Sequence, residues 1–187
     1  MKQNQIISPE KNTHLLTDVL IVPSFPIHTG NPTPRVCNFL RKTFLKKPSV
    51  NELKKYERIY ISRGDVKKRR VGNELEIVEF LSKKGFNKVV LDGLSIEKQA
   101  KIFNSAKVIV APHGAALSNL VFAKKNTKII EIFHPDYVNV CFWALSNCVD
   151  LDYYYFMGEK TDYFNLDLGM KINLQKLKDT LNLAEID

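Results

Sequence analysis

The chain has no G-x-G-x-x-G fingerprint after an apolar run, no G-x-x-x-x-G-K-[ST] phosphate loop and no G-x-S-x-G elbow. Those absences argue against a dinucleotide-dependent dehydrogenase, a P-loop NTPase and an α/β serine hydrolase. Cysteine is scarce: Cys37, Cys141 and Cys148 are odd in number and lack C-x-x-C spacing. That pattern speaks against a disulfide framework or a zinc cluster and fits reduced thiols in a cytosolic protein. No apolar stretch reaches the roughly 18 residues of a membrane span, and Met1–Glu10 is too polar for a secretory signal. The expectation is a soluble, cytoplasmic chain without repeats or low-complexity tracts.

What is present is enough for one core. A length of 187 residues with 44% hydrophobic content predicts a single domain. A net charge of +8, with a pI near 9.3, favours acidic partners: sugar nucleotides, nucleic acid or an anionic membrane surface. Charge does not choose among them. The run Lys67-Lys68-Arg69-Arg70 is read first as a solvated face, and nucleic-acid binding rests on net charge alone.

From Glu57 onward, short β-branched runs alternate with helical patterns, the signature of strand–helix units and a mostly parallel sheet. The strands are placed at Arg58–Ser62, Lys88–Leu91, Lys107–Ala111, Lys128–Phe133 and Tyr153–Met157. Leu75, Val78 and Leu81 form one helical stripe and Ile96, Ala100 and Phe103 a second, both expected to face the sheet. Asn73 with Glu76 marks the first helix's start and Gly85 its end. Leu174, Leu177 and Leu181 predict a closing helix over Asn173–Ala184. Six of the eight prolines lie by Pro48. In that region only Val19–Val22 reads as a strand, and Arg35–Leu45 as a helix with Val36, Phe39 and Leu40 on one face. The Tyr153–Phe156 run is explained by a strand buried on both faces. The fold class is a three-layer, Rossmann-like α/β domain with a five-stranded sheet.

In such sheets ligands sit beyond the carboxyl ends of the strands. Three groups gather there: Arg63 after the first strand, His113-Gly114 after the third, and Glu131 near the end of the fourth. The block Ala111–Asn119 follows the run Val108–Val110 and predicts a helix start, whose free N–H groups, approached past a glycine, suit a phosphate. Arg63 can fork two N–H groups onto the same anion, and Glu131 can accept from ribose hydroxyls. The plain alternatives are a surface cation, a turn histidine and a paired buried carboxylate.

The ordered set Ser62-Arg63, Arg70, Asn73-Glu74, Gly85-Phe86, Leu94-Ser95, Gln99, Phe103, Ala106, His113–Asn119 and Ile130-Glu131 resembles the C-terminal half of glycosyltransferase family 61, over roughly Ile59 to Tyr155. The resemblance implies an inverting transfer of a sugar from a nucleotide donor, often UDP-linked, within the two-domain GT-B architecture, and fixed cationic and N–H groups that stabilise the departing diphosphate predict metal independence. Bacterial relatives serve capsular or surface polysaccharide synthesis. Matching positions put Arg63 and the His113–Ala115 turn on the diphosphate, with Asn73, Glu74, Asn119 and Glu131 shaping the donor pocket. Residues 1–52 are then a connector or the remnant of an N-terminal acceptor domain, and residues 53–187 the nucleotide-sugar-binding domain. The chain is expected to be a fragment, an excised domain or one part of a split enzyme. Its partners are the donor, a saccharide or lipid-linked saccharide acceptor, a missing N-terminal domain or partner chain, and the inner face of the membrane. The alternative is a non-catalytic donor-binding or scaffolding module. The catalytic base is not placed by the sequence.

Overall fold

The computed structural model describes residues 7–8, 10–22, 30, 32–45, 54–64, 70–161 and 169–187. Five strands form one all-parallel sheet: β1 (Arg58–Ser62), β2 (Asn87–Val90), β3 (Val108–Pro112), β4 (Lys128–Phe133) and β5 (Asp152–Met157), in the order β2-β1-β3-β4-β5. β6 (Glu159–Lys160) and β7 (Met170–Lys171) make a separate antiparallel pair. Among the described residues no helix is long and apolar enough to cross a membrane.

Period-two alternation divides the core between the two faces of the sheet. Ile59, Ile61, Ile109 and Ile129 point to one face, where they meet α3 (Ile96–Ser105), a 3-10 helix (Ala115–Phe122), α4 (Cys141–Cys148) and α1 (Pro34–Phe44). Tyr60, Val110, Ile130 and Ile132 point to the other, under α2 (Glu74–Ser82) and α5 (Leu174–Leu183). The chain steps from β1 to β2 in one direction and from β2 over β1 to β3 in the other. The connecting helix changes face with that reversal, as right-handed crossovers require. The reversal makes β1/β3 the topological switch point, where the carboxyl ends splay into a crevice.

Local signals explain the boundaries. Thr33 caps α1, accepting from the Val36 N–H at 3.3 Å, with Pro34 in the first turn. Ser95 caps α3 through the Lys98 N–H. Asn173 caps α5 through the N–H groups of Gln175 and Lys176. α2 ends at Ser82; Gly85, at φ +78°, then turns the chain so that Phe86 N–H donates to the Leu81 carbonyl at 3.1 Å.

Several sequence expectations are corrected. Val19–Val22 is not a strand, and its side chains are exposed; four β-formers in a row give propensity, but no described strand offers them a ladder. α1 buries Cys37, with Leu40 and Phe44 partly covered, whereas Val36 and Phe39 face solvent. The apolar face had been displaced by one residue. Leu75 and Ile96 open their helices exposed, and Ile77 takes the buried place on α2. A first-turn residue overhangs the end of the sheet. β5 is an edge strand rather than one buried on both faces, leaving Tyr155 62% exposed. Residues 67–69 of the basic run lie outside the described residues; Arg70 is exposed.

Candidate functional site

The loops after β1 and β3 meet at the switch point. Arg63, one residue beyond β1, reaches across and donates from Nη1 to the carbonyl of His113 at 2.7 Å. Gly114 makes that approach possible. Its backbone is extended (φ 168°, ψ 171°), so strain is not the reason for glycine; a Cβ there would lie 2.0 Å from Nη1 and 3.2 Å from Cζ of Arg63. The guanidinium occupies the space a side chain would fill. A bare glycine at this strand end suits the approach of a phosphate, but the group that uses the space here is an arginine.

Beyond Gly114 the chain enters the Ala115–Phe122 helix, which winds as 3-10 rather than α and buries Leu117, Leu120, Val121 and Phe122. An open cleft of about 1110 Å³ faces this start, lined by Ser62, Arg63, Lys88, Gln99, Ala115 and Asn119, among others. The cleft's wall is held by a relay of amides. Gln99 donates to the Leu94 carbonyl at 2.9 Å, and its Oε1 accepts from Asn119 at 2.9 Å, tying the loop after β2 to the 3-10 helix. Gln99 and that loop were part of the family-like pattern but carried no predicted role.

Asn73 and Glu74 stand apart from this cleft. Both ends of the Asn73 amide bind the backbone of Ile172 at 2.9 Å, and its Nδ2 also donates to Glu76. It joins α2 to the segment before α5. Glu74 accepts from Tyr60 at 3.1 Å, from Ser62 at 2.9 Å and from Lys88 at 2.9 Å. Burial, then the Glu74 charge, pushes the Tyr60 hydroxyl well above its ordinary pKa. Glu74 touches the cleft only through Ser62 and Lys88.

Glu131 is fully buried and presents no oxygen to the cleft. On the face shared with Ile129, one carboxylate oxygen meets His113 Nδ1 and the other accepts from the Tyr153 hydroxyl. A lone carboxylate there would be costly; two strong hydrogen bonds offset that. The His113 ring is 5% exposed, stacked on Phe133 at 5.2 Å and flanked by Tyr137 at 5.4 Å and Phe142 at 5.2 Å. Burial and the Glu131 charge push the Tyr153 hydroxyl far up, so it remains a donor. Cys141, at the start of α4, is raised by burial and by the same carboxylate. Tyr153 was not singled out by sequence. Register could have found it: Ile129 pairs with Tyr153 and Glu131 with Tyr155, so both tyrosines share Glu131's face.

The structure therefore brings Arg63, Ala115 and Asn119 together on the cleft wall, sets Gly114 and the His113 carbonyl directly against Arg63 with Glu131 behind the His113 ring, and leaves Asn73 and Glu74 in the scaffold. Among the described residues no three His, Cys, Asp or Glu gather as a metal-ligand set. An all-parallel sheet whose strand order reverses at β1/β3, with an open cleft at that point, defines a Rossmann-like α/β domain. Within that class the particular family is identified by sequence: the model described as Glycosyltransferase 61 matches residues 6–130, and the chain belongs to that family. The match takes in residues ahead of β1 and stops in β4, one residue short of Glu131. No curated protein matches the chain.

Proposed function

We propose that this domain binds the nucleotide-sugar donor of a glycosyl transfer, with the diphosphate in the cleft at the β1/β3 switch point. The observation that carries the reading is Arg63 packed into the space left by Gly114, at the mouth of that cleft. There the guanidinium donates to the His113 carbonyl and lies against Gly114, at the start of a helix. A cation and helix N–H groups suit the charge that builds on a departing nucleoside diphosphate. Membership of the glycosyltransferase family supplies the reaction class.

The finer reading is a UDP-linked donor, transfer with inversion and no divalent ion, to a saccharide or lipid-linked saccharide of a surface or capsular polysaccharide. Arg63 and the 113–115 turn take the ion's place, and Asn119 lines the sugar or ribose side. The excess of positive charge favours such anionic substrates. Calorimetric titration with UDP, GDP and CMP sugars tests the proposal. At least one is expected to bind with unchanged affinity in EDTA; binding of none, with the fold intact, contradicts it.

A further inference from the structure

We propose that His113 is the general base of the transfer, its Nε2 taking the proton from the acceptor hydroxyl. This rests on the donor-site reading above. Glu131 is an acceptor on both oxygens when ionised, and Tyr153 donates to one of them. The nitrogen facing the other, His113 Nδ1, therefore carries the hydrogen, which leaves the lone pair on Nε2. Among the described residues nothing hydrogen-bonds to Nε2, so its lone pair is unspent.

The surroundings favour a use beyond stability. Every neighbour of Glu131 on β4 is apolar, Ile129, Ile130, Ile132 and Phe133, and a buried charged carboxylate in such a strand stabilises little over an apolar filling. The ring is clamped by Phe133 and Phe142, and Tyr137 and Tyr155 continue the aromatic surface to solvent at 39% and 62% exposure. Flat, partly exposed aromatic faces suit the C–H face of a sugar acceptor. Arg63 binds the carbonyl of the same residue whose ring is the base, so one peptide links the donor anchor to the acceptor side. Among the described residues the ionisable groups facing the ring or its partners are Glu131 on β4, Tyr153 and Tyr155 on β5, Tyr137 after β4 and Cys141 on α4, with Arg63 beyond the peptide.

In the step, the acceptor oxygen forms a bond to the sugar's anomeric carbon, and the bond from that carbon to the diphosphate oxygen breaks. The electron pair leaves with the nucleoside diphosphate, and the hydroxyl proton passes to Nε2. The imidazolium is stabilised by Glu131 and later loses its proton to solvent. Glu131 and Tyr153 are positioning residues.

The test uses the full chain with UDP-glucose, UDP-galactose and UDP-N-acetylglucosamine, following UDP release to water and UDP binding side by side. His113→Asn retains a donor for Glu131 but has no base, so UDP binding is expected to stay within about threefold while turnover falls by about 100-fold or more. UDP binding with undiminished turnover in this variant overturns the base assignment alone; failure of the wild type to bind UDP or any of the three sugars overturns the UDP-linked donor, and failure with GDP and CMP sugars as well overturns the donor-site reading and the base with it. Ring-nitrogen NMR reads the same claim without turnover. The wild type is expected to show protonated Nδ1 and bare Nε2, with the pattern lost in Glu131→Gln and restored in Glu131→Asp. A protonated Nε2 in the neutral wild-type ring overturns the proposal.

Discussion

Replacing Gly114 by alanine isolates the contact on which the donor site depends. The added methyl would lie 2.0 Å from Arg63 Nη1, against about 3.5 Å for a comfortable contact. The guanidinium must therefore retreat by about 1.5 Å, giving up its 2.7 Å bond to the His113 carbonyl. The backbone there is extended and accepts alanine, and the displaced group is the end of a flexible side chain. Folding stability should thus change by less than about 1 kcal/mol. Charge-assisted bonds from a fixed arginine contribute about 1.5–3 kcal/mol, so UDP binding should weaken about 10- to 150-fold. Arg63→Ala should weaken it as much. In that background the space is vacant, so Gly114→Ala should then cost under about 0.5 kcal/mol. Calorimetry on the four proteins of this cycle measures the coupling. Additive losses, or unchanged UDP affinity in Gly114→Ala, would refute the argument that this glycine exists to admit the arginine.

Asn73→Ala removes three hydrogen bonds joining α2 to Ile172 and Glu76; it should cost about 1–3 kcal/mol in chemical denaturation while leaving UDP affinity near wild type. Glu74→Ala orphans Tyr60 and Ser62 and should be destabilising by a similar amount, with a smaller effect on binding through Ser62 and Lys88. Tyr60 and Tyr153 have pKa values raised above 10, so their stabilisation is complete below pH 10 and lost as pH climbs beyond it. Unfolding followed from pH 8 upward should show this decline, flattened in Tyr60→Phe; an identical slope in that variant would contradict the assignment. Burial and the neighbouring Cys148 thiol, 3.8 Å away, lift Cys37 to about 11. Its stabilisation is full below pH 9 and lost through pH 11, and Cys37→Ala should remove that component.

Short apolar runs rich in β-branched residues made the parallel sheet legible in the sequence: each of its five strands lies within one residue of the expected bounds at either end, while the short β6–β7 pair, with no apolar run, was not foreseen. The sheet order was not legible: it depends on which face each connecting helix covers, which the stripes alone do not give. Helix faces were less legible near their ends, where Leu75 and Ile96 satisfy the spacing yet project past the sheet. At the site, Arg63 and the 113–115 turn were visible because strand ends in a parallel sheet aim residues at one rim. The partner of Glu131 was not. An acidic residue in an apolar strand reads equally as a ribose acceptor at the lip or a paired group beneath it. Only the β4–β5 register, which puts Tyr153 beside it, and the turn that returns His113 decide for the second. Gly114 was recognised as a close-approach position, but one sequence does not say which group approaches.

Backbone amide NMR of the labelled chain during a UDP titration addresses the site most directly. The largest shifts should fall on Arg63, Gly64, Gly114, Ala115 and Ala116, with none at the opposite end of the sheet. There Lys54, Lys107, Lys124 and Lys125 line a second, basic cavity of about 500 Å³. Saturable shifts confined to that lysine cavity, with the β1/β3 rim unmoved, would contradict the placement of the diphosphate.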